Sequence, residues 1–479
     1  MKGQRQRFLY FFICSVSVSL ILLGVLVGAV LWRARPQAHA AGVGMQGMQA
    51  NILPMRPMYK MAVKMGTQAN AGMIPCLKSA LPPLCYSPQQ IRQAYGVQPL
   101  INAGITGKGR IITIIDAFQD PTVRADLHIF DQIFGLNDPQ LNILAPFGLT
   151  PFNPKDPAQV GFAGEIALDV EWSHAIAPDA TIDLVLGNVK NGSLQGQLTA
   201  LLQATNFAVQ HNIGSIISQS FGTGETCLSP TLLQAAHQTF QQARVQHQTV
   251  FASAGDMGAS AVQCNAQGQP VTLAQGVNYP ASDPLVSSVG GTTLLATKAG
   301  TFVKELAWNE SLQGSGATGG GVSKIFALPA FQKNIVKSAT RAVADISLDA
   351  DPLTGVPVIT SSLMPGKTMI IPFGGTSVGS PVAAGMTALF DQAAGKRLGF
   401  LNSAFYRISQ SGVYAQAFHD VQIGNNTFVF QDGNGNVVTV PGFLARNGWD
   451  APTGVGSPKA ANLSGLLPKF ITAKDGAGL

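Results

Sequence analysis

The sequence predicts an α/β fold, in which a doubly wound, mainly parallel sheet is flanked by helices within a single large domain. From residue 110 onward, short β-rich runs alternate with helical stretches, a pattern that is typical of parallel sheets. The chain has 479 residues, of which 46% are hydrophobic, so it can bury a sizeable core. No internal repeat is evident.

Several short runs predict the strands of this sheet, and helical stretches lie between some of them. The predicted strands are Arg110–Asp116, Thr181–Leu186, Ser215–Ser220, Thr249–Ser253 and Leu285–Val289. The clearest predicted helices are Leu194–Gln210 and Thr231–Gln246. Active sites of such sheets lie at the carboxyl ends of the strands, so the residues that follow these runs are the first candidates for chemistry.

Residues 1–40 predict export of the chain. Residues 9–32 form an uncharged apolar run that is long enough to cross a bilayer as a helix. The tripeptide Ala38-His39-Ala40 fits the small-x-small pattern of a signal-peptide cleavage site. We therefore expect either a cleaved signal peptide or a retained signal anchor. Both place the remaining chain outside the cell, secreted or anchored to the outer face of the plasma membrane.

The cysteines fit an exported protein. Cys14 lies in the apolar run, and an even number remains: Cys76, Cys85, Cys227 and Cys264. Local pairing of Cys76 with Cys85 and of Cys227 with Cys264 is one of 3 connectivities, and the sequence leaves the choice open. Residues 41–85 are rich in Met, Gly and Pro without a persistent period, which predicts a flexible tether or short leader.

Charged residues are scarce in this chain. They make up 11% of the residues, against roughly 25% in average proteins, and the formal net charge is +6. Basic residues are scattered rather than arranged in a stripe, so we expect no nucleic-acid partner. Only 30 Lys and Arg and 7 His can carry positive charge in acid, which limits self-repulsion at low pH.

A serine between small residues is the candidate nucleophile. The stretch FGGTSVGSPVAAG, residues 373–385, places Ser377 at the predicted start of a helix. A serine hydroxyl needs a general base, and histidine is the usual one. None of the 7 histidines lies in an HGT-like stretch, so the sequence directs the search for a base elsewhere.

A pair of acids in GFAGEIALDVEWSHAIAP, residues 161–178, is the candidate base. On a helix, Glu165 and Asp169 are four residues apart and share one face. Their neighbours are apolar nearly all round, which predicts a buried helix on which the two acids share a proton. The alternative is that the two carboxylates lie on a solvent-exposed face of the helix. In acidic surroundings Glu165 would take the proton of Ser377, and Asp169 would hold and polarise Glu165.

A third acid follows a predicted strand in TVFASAGDMGAS. Asp256 lies between Gly255 and Gly258, in a strand-end loop where ligands bind. The plainer interpretation is a turn aspartate. As an oxyanion-hole residue Asp256 must be protonated, because only the neutral acid donates a hydrogen bond.

These motifs resemble those of the sedolisin family, the serine-carboxyl peptidases, whose fold is subtilisin-like. The resemblance is carried by GEIALD, SAGD and GGTSVGSP, and extends to NYPASDPLVSSVGGT, AVADISLDADPLTG and NGWDAPTGVGSP. It covers residues 86–465 and leaves 466–479 as a C-terminal tail. It implies a subtilisin-like catalytic domain acting on peptides or proteins, and we expect a monomer. The implied roles are nucleophile, base, base partner and oxyanion residue for Ser377, Glu165, Asp169 and Asp256.

The resemblance also implies a substrate cleft and one structural Ca²⁺. The cleft residues are Ser218, Ser220, Phe221 and Gly222, which would pair with the substrate backbone as an added strand. The calcium ligands would be the carboxylates of Asp420 and Asp450 and the carbonyls of Val421, Arg446 and Gly448. On spacing alone, two turn aspartates in a loop rich in Gly and Asn are the favoured interpretation, and the resemblance reverses this.

The sequence thus predicts an exported serine-type endopeptidase or exopeptidase that works at acidic pH through a Ser-Glu-Asp triad. Two alternatives remain open: a non-catalytic, surface-anchored peptide-binding protein on the same scaffold, and a neutral subtilisin-like serine protease. Asp116, in IITIIDAFQDP, lies where subtilisins place their catalytic aspartate. Without an HGT stretch, we interpret Asp116 as a structural residue at a strand end.

Overall fold

The structure is a computed structural model that describes residues 58–59, 63–64, 74–79, 85–190, 192–364 and 366–476. Its helices are α1 Pro75–Lys78, α2 Pro88–Ala94, α3 Gln98–Asn102, α4 Val123–Phe134, α5 Pro157–Ile176, α6 Leu194–Gln210, α7 Pro230–Val245, α8 Thr376–Ala394, α9 Asn402–Ser409, α10 Tyr414–Ala417, α11 Ala460–Phe470 and α12 Ala473–Gly476. Short 3₁₀ turns occur at Glu225–Cys227, Ser311–Gln313 and Ala330–Gln332.

The strands of the first half of the chain are β1 Met58–Tyr59, β2 Val63–Lys64, β3 Ile111–Ala117, β4 Leu141–Leu144, β5 Thr181–Gly187, β6 Ile216–Gln219, β7 Thr223–Gly224, β8 Thr249–Ser253, β9 Ser260–Cys264, β10 Pro270–Gln275 and β11 Asn278–Tyr279. Those of the second half are β12 Ser287–Ala296, β13 Phe302–Ala307, β14 Gly321–Ala327, β15 Thr340–Val343, β16 Ile346–Asp349, β17 Val356–Thr360, β18 Met369–Gly374, β19 Phe418–His419, β20 Phe428–Gln431, β21 Val437–Val440 and β22 Ser457–Pro458.

The central sheet has the strand order β13-β12-β8-β6-β3-β5-β4, with β16 beside β12. Every pair in it is parallel except β12 with β13. The predicted mainly parallel sheet is therefore confirmed, and each of the predicted strands overlaps one of its members. Strand β3 is buried at nearly every position, as expected for a parallel strand covered by helices on both faces.

Helices α5 and α8 pack closely against each other. In α5 the Asp156 side chain caps the first turn, Pro157 occupies the first position, and almost every residue from Phe162 to Ile176 is buried. A Cβ on Gly385 of α8 would lie 2.7 Å from the Ile176 Cβ of α5. The absence of a side chain at Gly385 therefore allows the two helices to approach.

Both predicted disulfides are confirmed, Cys76–Cys85 and Cys227–Cys264. Within the predicted tether, β1 and β2 pair antiparallel with β18, so part of residues 41–85 is in contact with the domain. The apolar run 9–32 and the rest of the predicted signal segment lie outside the described residues. In the part of the chain that the structure describes, no helix has the length and apolar character needed to cross a membrane.

The C-terminal residues pack onto the domain. Helix α11 passes through the boundary that we predicted at residue 465. Arg407 Nε donates to the Phe470 carbonyl at 2.8 Å, and Arg244 Nε donates to the Asp475 carbonyl at 2.8 Å. The described portion of the predicted tail is therefore held by hydrogen bonds from two arginines.

Candidate active site

The carboxyl edge of the central sheet gathers acidic residues from separate parts of the chain. Strands β3, β6 and β8 end at this edge because they are parallel neighbours. Helices α5 and α8 contribute the remaining side chains. The residues that meet here are Asp116, Glu165, Asp169, Ser220, Asp256 and Ser377.

Ser377 and Glu165 face each other in the interior. Ser377 is fully buried and Glu165 is 2% exposed. The Ser377 hydroxyl acts on the Glu165 carboxyl as a hydrogen-bond donor that lowers its pKa, but their separation or angle falls short of a well-formed hydrogen bond. Such contacts are often long before substrate binds. Neither side chain has another hydrogen-bond partner among the described residues.

Asp169 lies beside Glu165 on α5 and is fully buried. Its Oδ1 accepts a hydrogen bond from Ser220 Oγ at 2.8 Å, which lowers its pKa, but burial has the larger effect and raises the pKa well above the ordinary range. Burial also raises the pKa of Glu165, and the charges of Asp169 and Asp116 raise it further. The cluster therefore holds protons at pH values where exposed acids are ionised.

Asp116 belongs to this cluster, a placement that the sequence analysis did not anticipate. It is fully buried at the end of β3, and neither of its carboxyl oxygens has a hydrogen-bond partner among the described residues. Burial, and then the charge of Asp169, raise its pKa well above the ordinary range. The sequence signal for Asp116 was an acidic residue at the end of a continuous apolar strand, with no basic residue beside it.

Asp256 follows strand β8 and contacts the first residue of helix α8. Its Oδ1 accepts hydrogen bonds from Thr376 N and Thr376 Oγ1, both at 2.8 Å. Its Oδ2 has no hydrogen-bond partner within the described ranges, and a Cβ on Gly375 would lie 2.6 Å from that oxygen. Burial raises the pKa of Asp256 to about 6, against the lowering effect of Thr376. Below that pH, Asp256 can carry a proton beside Thr376, the residue that precedes Ser377.

The predicted cleft residues lie at the end of β6 and directly after it, in the same region. Ser218 Oγ and Ser380 Oγ share a hydrogen bond of 2.9 Å, and Phe221 is fully buried. Ser220 faces Asp169, and Gly222 is also buried. The side chains of Ser218, Ser220 and Phe221 thus point into the protein. Pairing with substrate would therefore use the main chain of residues 220–222, and it stays a prediction.

The five predicted calcium ligands lie on neighbouring loops. Arg446 N donates to Asp450 Oδ2 at 2.8 Å, and Gly448 N donates to Asp420 Oδ1 at 3.1 Å. Burial raises the pKa of Asp450 to about 7, and the charge of Asp420 contributes to the rise. Among the described residues neither carboxylate forms an ion pair. Two adjacent carboxylates are oxygen ligands of the kind that a hard divalent ion prefers, but the hydrogen bonds that they accept here come from main-chain N–H groups and from side chains that include Tyr414 and Gln422.

Backbone carbonyls would have to supply most ligands of this metal site. In the described ranges there is no group of three or more His, Cys, Asp or Glu side chains that could hold a metal. Asp420 and Asp450 thus fit a calcium site only together with main-chain oxygens, as the donor set in the sequence analysis requires.

No histidine of the described part of the chain is hydrogen bonded to Ser377. His174, on the same helix as Glu165, lies 3.1 Å from Asp131, and His237 lies 2.8 Å from Asp283. His128 pairs with Asp138 at the surface. The groups available to Ser377 are therefore carboxyls.

Comparison with known proteins places this geometry among peptidases. Residues 160–406 match the subtilase family. The chain is 33% identical over 434 residues to kumamolisin of Bacillus sp. (strain MN-32), covering 88% of this chain and 71% of kumamolisin. It is 38% identical over 276 residues to sedolisin of Pseudomonas sp. (strain 101), covering 56% of this chain and 43% of sedolisin. The chain therefore spans less than half of that relative's length.

A solved structure has the same fold. Pseudomonas sedolisin, a serine-carboxyl proteinase in complex with two molecules of pseudo-iodotyrostatin, superimposes with a TM-score of 0.66 at 30% sequence identity. The match covers 81% of this chain and 99% of the sedolisin chain. The subtilisin-like fold with a single catalytic domain, which the sequence predicted, is confirmed.

Proposed function

Because this chain belongs to the sedolisin family and is therefore a serine-type peptidase, we propose that it hydrolyses peptide bonds in acidic surroundings with Ser377 as the nucleophile. The observation that carries the proposal is the Ser377 hydroxyl facing the Glu165 carboxyl inside a buried cluster of acids. A carboxylate can serve as base for serine when the medium keeps its neighbours protonated.

In the proposed reaction, Ser377 Oγ attacks the scissile carbonyl carbon while its proton passes to ionised Glu165. Protonated Glu165 then gives the proton to the leaving amine, which leaves an acyl-enzyme. Water attacks the acyl carbonyl carbon and gives a proton to Glu165, which passes it to Ser377 Oγ as the acyl bond breaks. The carboxylic acid product leaves and Ser377 is regenerated. Asp169, oriented by Ser220, places its charge beside Glu165 and thereby raises the proton affinity of this base. The nearby Asp116 keeps a proton in the cluster because three buried carboxylates repel one another.

Asp256 would stabilise the oxyanion of both tetrahedral intermediates. Its Oδ1 accepts from Thr376, so the proton would reside on Oδ2, for which the described part of the chain offers no partner. A neutral carboxyl donates a hydrogen bond, whereas an ionised one repels the developing negative charge. With a pKa of about 6, Asp256 is mainly in the donating form below about pH 6.

The first test is the Ser377→Ala variant, assayed on casein or haemoglobin at several pH values between about 3 and 6, because burial raises the pKa of the Glu165 base above its ordinary value. We expect cleavage to disappear, with Ser409→Ala, a serine on α9 away from the acids, as the matched control. Unchanged cleavage by the purified Ser377 variant contradicts the proposal. Peptide binding without turnover at any pH would instead support a non-catalytic binding protein. Activity that peaks above neutral pH and depends on a histidine would support a neutral subtilisin-like protease.

We also propose one structural Ca²⁺ at Asp420 and Asp450, with the carbonyls of Val421, Arg446 and Gly448. The ion would neutralise two carboxylates that otherwise repel. A chelator should lower the melting temperature by several degrees, because an ion that binds only the folded state stabilises it. In Asp450→Asn this response should be lost, whereas in Asp138→Asn, which changes an exposed aspartate, it should persist. Melting that is indifferent to chelation contradicts the site.

Export of the chain is likewise a proposal. The two disulfides support it, because disulfides persist in oxidising compartments outside the cytosol. Comparing membrane and medium fractions, with N-terminal sequencing of the exported protein, distinguishes a cleaved signal from a retained anchor.

A further inference from the structure

Thr376, the residue that precedes the proposed nucleophile, connects helix α8 to the loop that follows strand β8. Thr376 is fully buried and is the first residue of α8. Its hydroxyl donates to Asp256 Oδ1 at 2.8 Å and accepts from Gly255 N at 3.0 Å. One hydroxyl group therefore joins the proposed oxyanion residue to the start of the helix that carries the nucleophile.

The main chain around Asp256 is held by the segment that precedes β14. Gly319 N donates to the Gly255 carbonyl at 2.6 Å, and Ala317 N donates to the Asp256 carbonyl at 3.0 Å. A Cβ on Gly319 would lie 2.3 Å from the Ala254 carbonyl oxygen, so only glycine allows this approach. With the main chain fixed, the direction of the Asp256 carboxyl depends on its own side-chain torsions. The terminal torsion of an aspartate is broad, so hydrogen bonds have to select its orientation.

The donors of Thr376 select that orientation because they reach the same carboxyl oxygen. Thr376 N and Thr376 Oγ1 both donate to Asp256 Oδ1 at 2.8 Å. An oxygen that accepts two hydrogen bonds is a poor site for the proton of a neutral acid, because a protonated oxygen keeps little capacity to accept. The proton is therefore favoured on Oδ2. This oxygen faces Gly375, in the turn that leads to Ser377, where an added Cβ would lie 2.6 Å from it.

The main-chain N–H of Thr376 is a weaker constraint by itself. Without the hydroxyl, Asp256 keeps a single donor from Thr376, and the Gly255 N–H loses the acceptor that it has in the structure. A buried N–H without an acceptor is unfavourable, so the loop has a reason to shift. Both effects loosen the orientation of the Asp256 carboxyl.

We propose that Thr376 is a positioning residue, whose hydroxyl directs Asp256 Oδ2 towards the oxyanion and keeps the proton on that oxygen. This inference rests on the proposed function, in which Asp256 donates a hydrogen bond to the oxyanion. Thr376 acts in this scheme only through Asp256. A preorganised donor stabilises the developing charge more than one that has to turn during the reaction.

The same hydroxyl affects the pH at which Asp256 ionises. Burial raises the pKa of Asp256 to about 6, and the hydrogen bonds from Thr376 lower it. The titratable neighbour of Asp256 on the facing helix α5 is Glu165, and among the described residues Asp256 forms no ion pair. Loss of the hydroxyl removes a lowering effect, so Asp256 should stay protonated to a higher pH.

The test compares the pH profiles of Thr376→Val and Thr376→Ser. Valine has the shape of threonine without the hydroxyl, whereas serine keeps the hydroxyl and lacks the methyl group. In Thr376→Val we expect kcat/KM at the pH optimum to fall about tenfold, the effect of one hydrogen bond to an ionisable group. The decline of kcat/KM at the upper end of the profile should move up by about one pH unit. Thr376→Ser should keep the wild-type profile.

Further variants separate positioning from a general loss of packing. Thr387→Val makes the same change at a buried threonine of α8 whose hydroxyl donates to the Ala383 carbonyl at 2.9 Å, and it should leave the pH profile unchanged. Thr376→Ala should show the same upward shift as Thr376→Val, so the test does not depend on the folding of one variant. In an Asp256→Asn background, Thr376→Val should cause no shift, because an amide does not ionise.

The outcomes distinguish this inference from the function on which it rests. An upper decline that stays at the wild-type pH in Thr376→Val and Thr376→Ala overturns the positioning role and leaves the peptidase proposal intact. A Thr376→Ser profile that matches that of Thr376→Val does the same. Failure of the wild-type protein to cleave any peptide at any acidic pH overturns both. Because the pH of the decline does not depend on the amount of folded enzyme, partial misfolding does not produce the shift.

Discussion

Around Ser377, the contacts and backbone angles of each position explain which residue occupies it. Gly375 has φ of +94°, which disfavours any side chain, and a Cβ there would collide with Asp256 Oδ2. Pro381 has no N–H for the Ser377 carbonyl four residues earlier, and Ser220 Oγ donates to that carbonyl at 3.4 Å. The serine is thus held by contacts that a regular helix would not provide.

Asp256 allows the most direct test at this scale. Asp256→Ala removes the proposed oxyanion donor, and kcat should fall about 10²–10³-fold. Asp256→Asn keeps a donor at every pH, so it should lose less activity. The pKa of Asp256 is raised to about 6, so the wild-type donor is present below that pH and is lost above it. The corresponding fall in kcat/KM between about pH 5 and 7 should be absent from the pH profile of Asp256→Asn. An identical fall in both proteins contradicts the assignment.

At the scale of elements, the site depends on the contact between α5 and α8. Helix α5 carries Glu165 and Asp169, and α8 carries Ser377. Their approach is set by Gly385, which packs against Ile176. Because protein interiors are closely packed, even one added methyl group at this contact has to displace one of the two helices.

Gly385→Ala should therefore reduce stability and activity together. The added Cβ would lie 2.7 Å from Ile176 Cβ, and overpacking of this kind costs about 1–3 kcal/mol. Denaturant unfolding measures the free energy of unfolding. A lower kcat/KM reports that Ser377 has moved relative to Glu165. Gly465→Ala is the matched control, because Gly465 lies within α11 and a Cβ there meets nothing within 4 Å. That control should be neutral or stabilising by about 0.5–1 kcal/mol. Equal effects of both substitutions would contradict the packing argument.

At the scale of the whole molecule, the described interior contains many acids that are hydrogen bonded to hydroxyl and amide groups. Glu305 accepts from Tyr95 and Thr292, and Asp126 accepts from Thr122 and Ser361. Burial raises the pKa of Glu305 and Asp126 in the folded state. Hydroxyl partners satisfy a protonated carboxyl as well as an ionised one, whereas a cation favours the ionised form.

These shifts predict a fold that is most stable in acid. Burial raises the pKa of Asp120 and of Asp391 to about 6, above the value of about 4 expected when the chain is unfolded. The folded state therefore binds more protons, and its stability is greatest below about pH 4 and falls as pH rises to about 7. Urea unfolding measured across this range should show the decline. Asp120→Asn should make it shallower, and Asp138→Asn, at an exposed position, should not. Stability that rises toward neutral pH contradicts the prediction.

The sequence predicted the parallel sheet well because buried parallel strands produce continuous apolar runs that local composition reveals. Helix Leu194–Gln210 was predicted with the bounds that it has in the structure. The run Leu285–Val289 was placed two residues too early and too short, because β12 continues to Ala296 as the partner of β13. Pairing with a distant strand determines that extension, and local composition does not encode it.

The sequence by itself determined which residues are chemically able to act. It supplied a serine at a helix start, two acids one helical turn apart, and a third acid after a strand. Only the tertiary structure decided which of them meet. It placed Asp116 beside Asp169 and brought Ser220 to Asp169. The physical reason is that burial and the approach of groups distant in sequence set pKa values and unmet hydrogen bonds, and both arise only when the chain is folded.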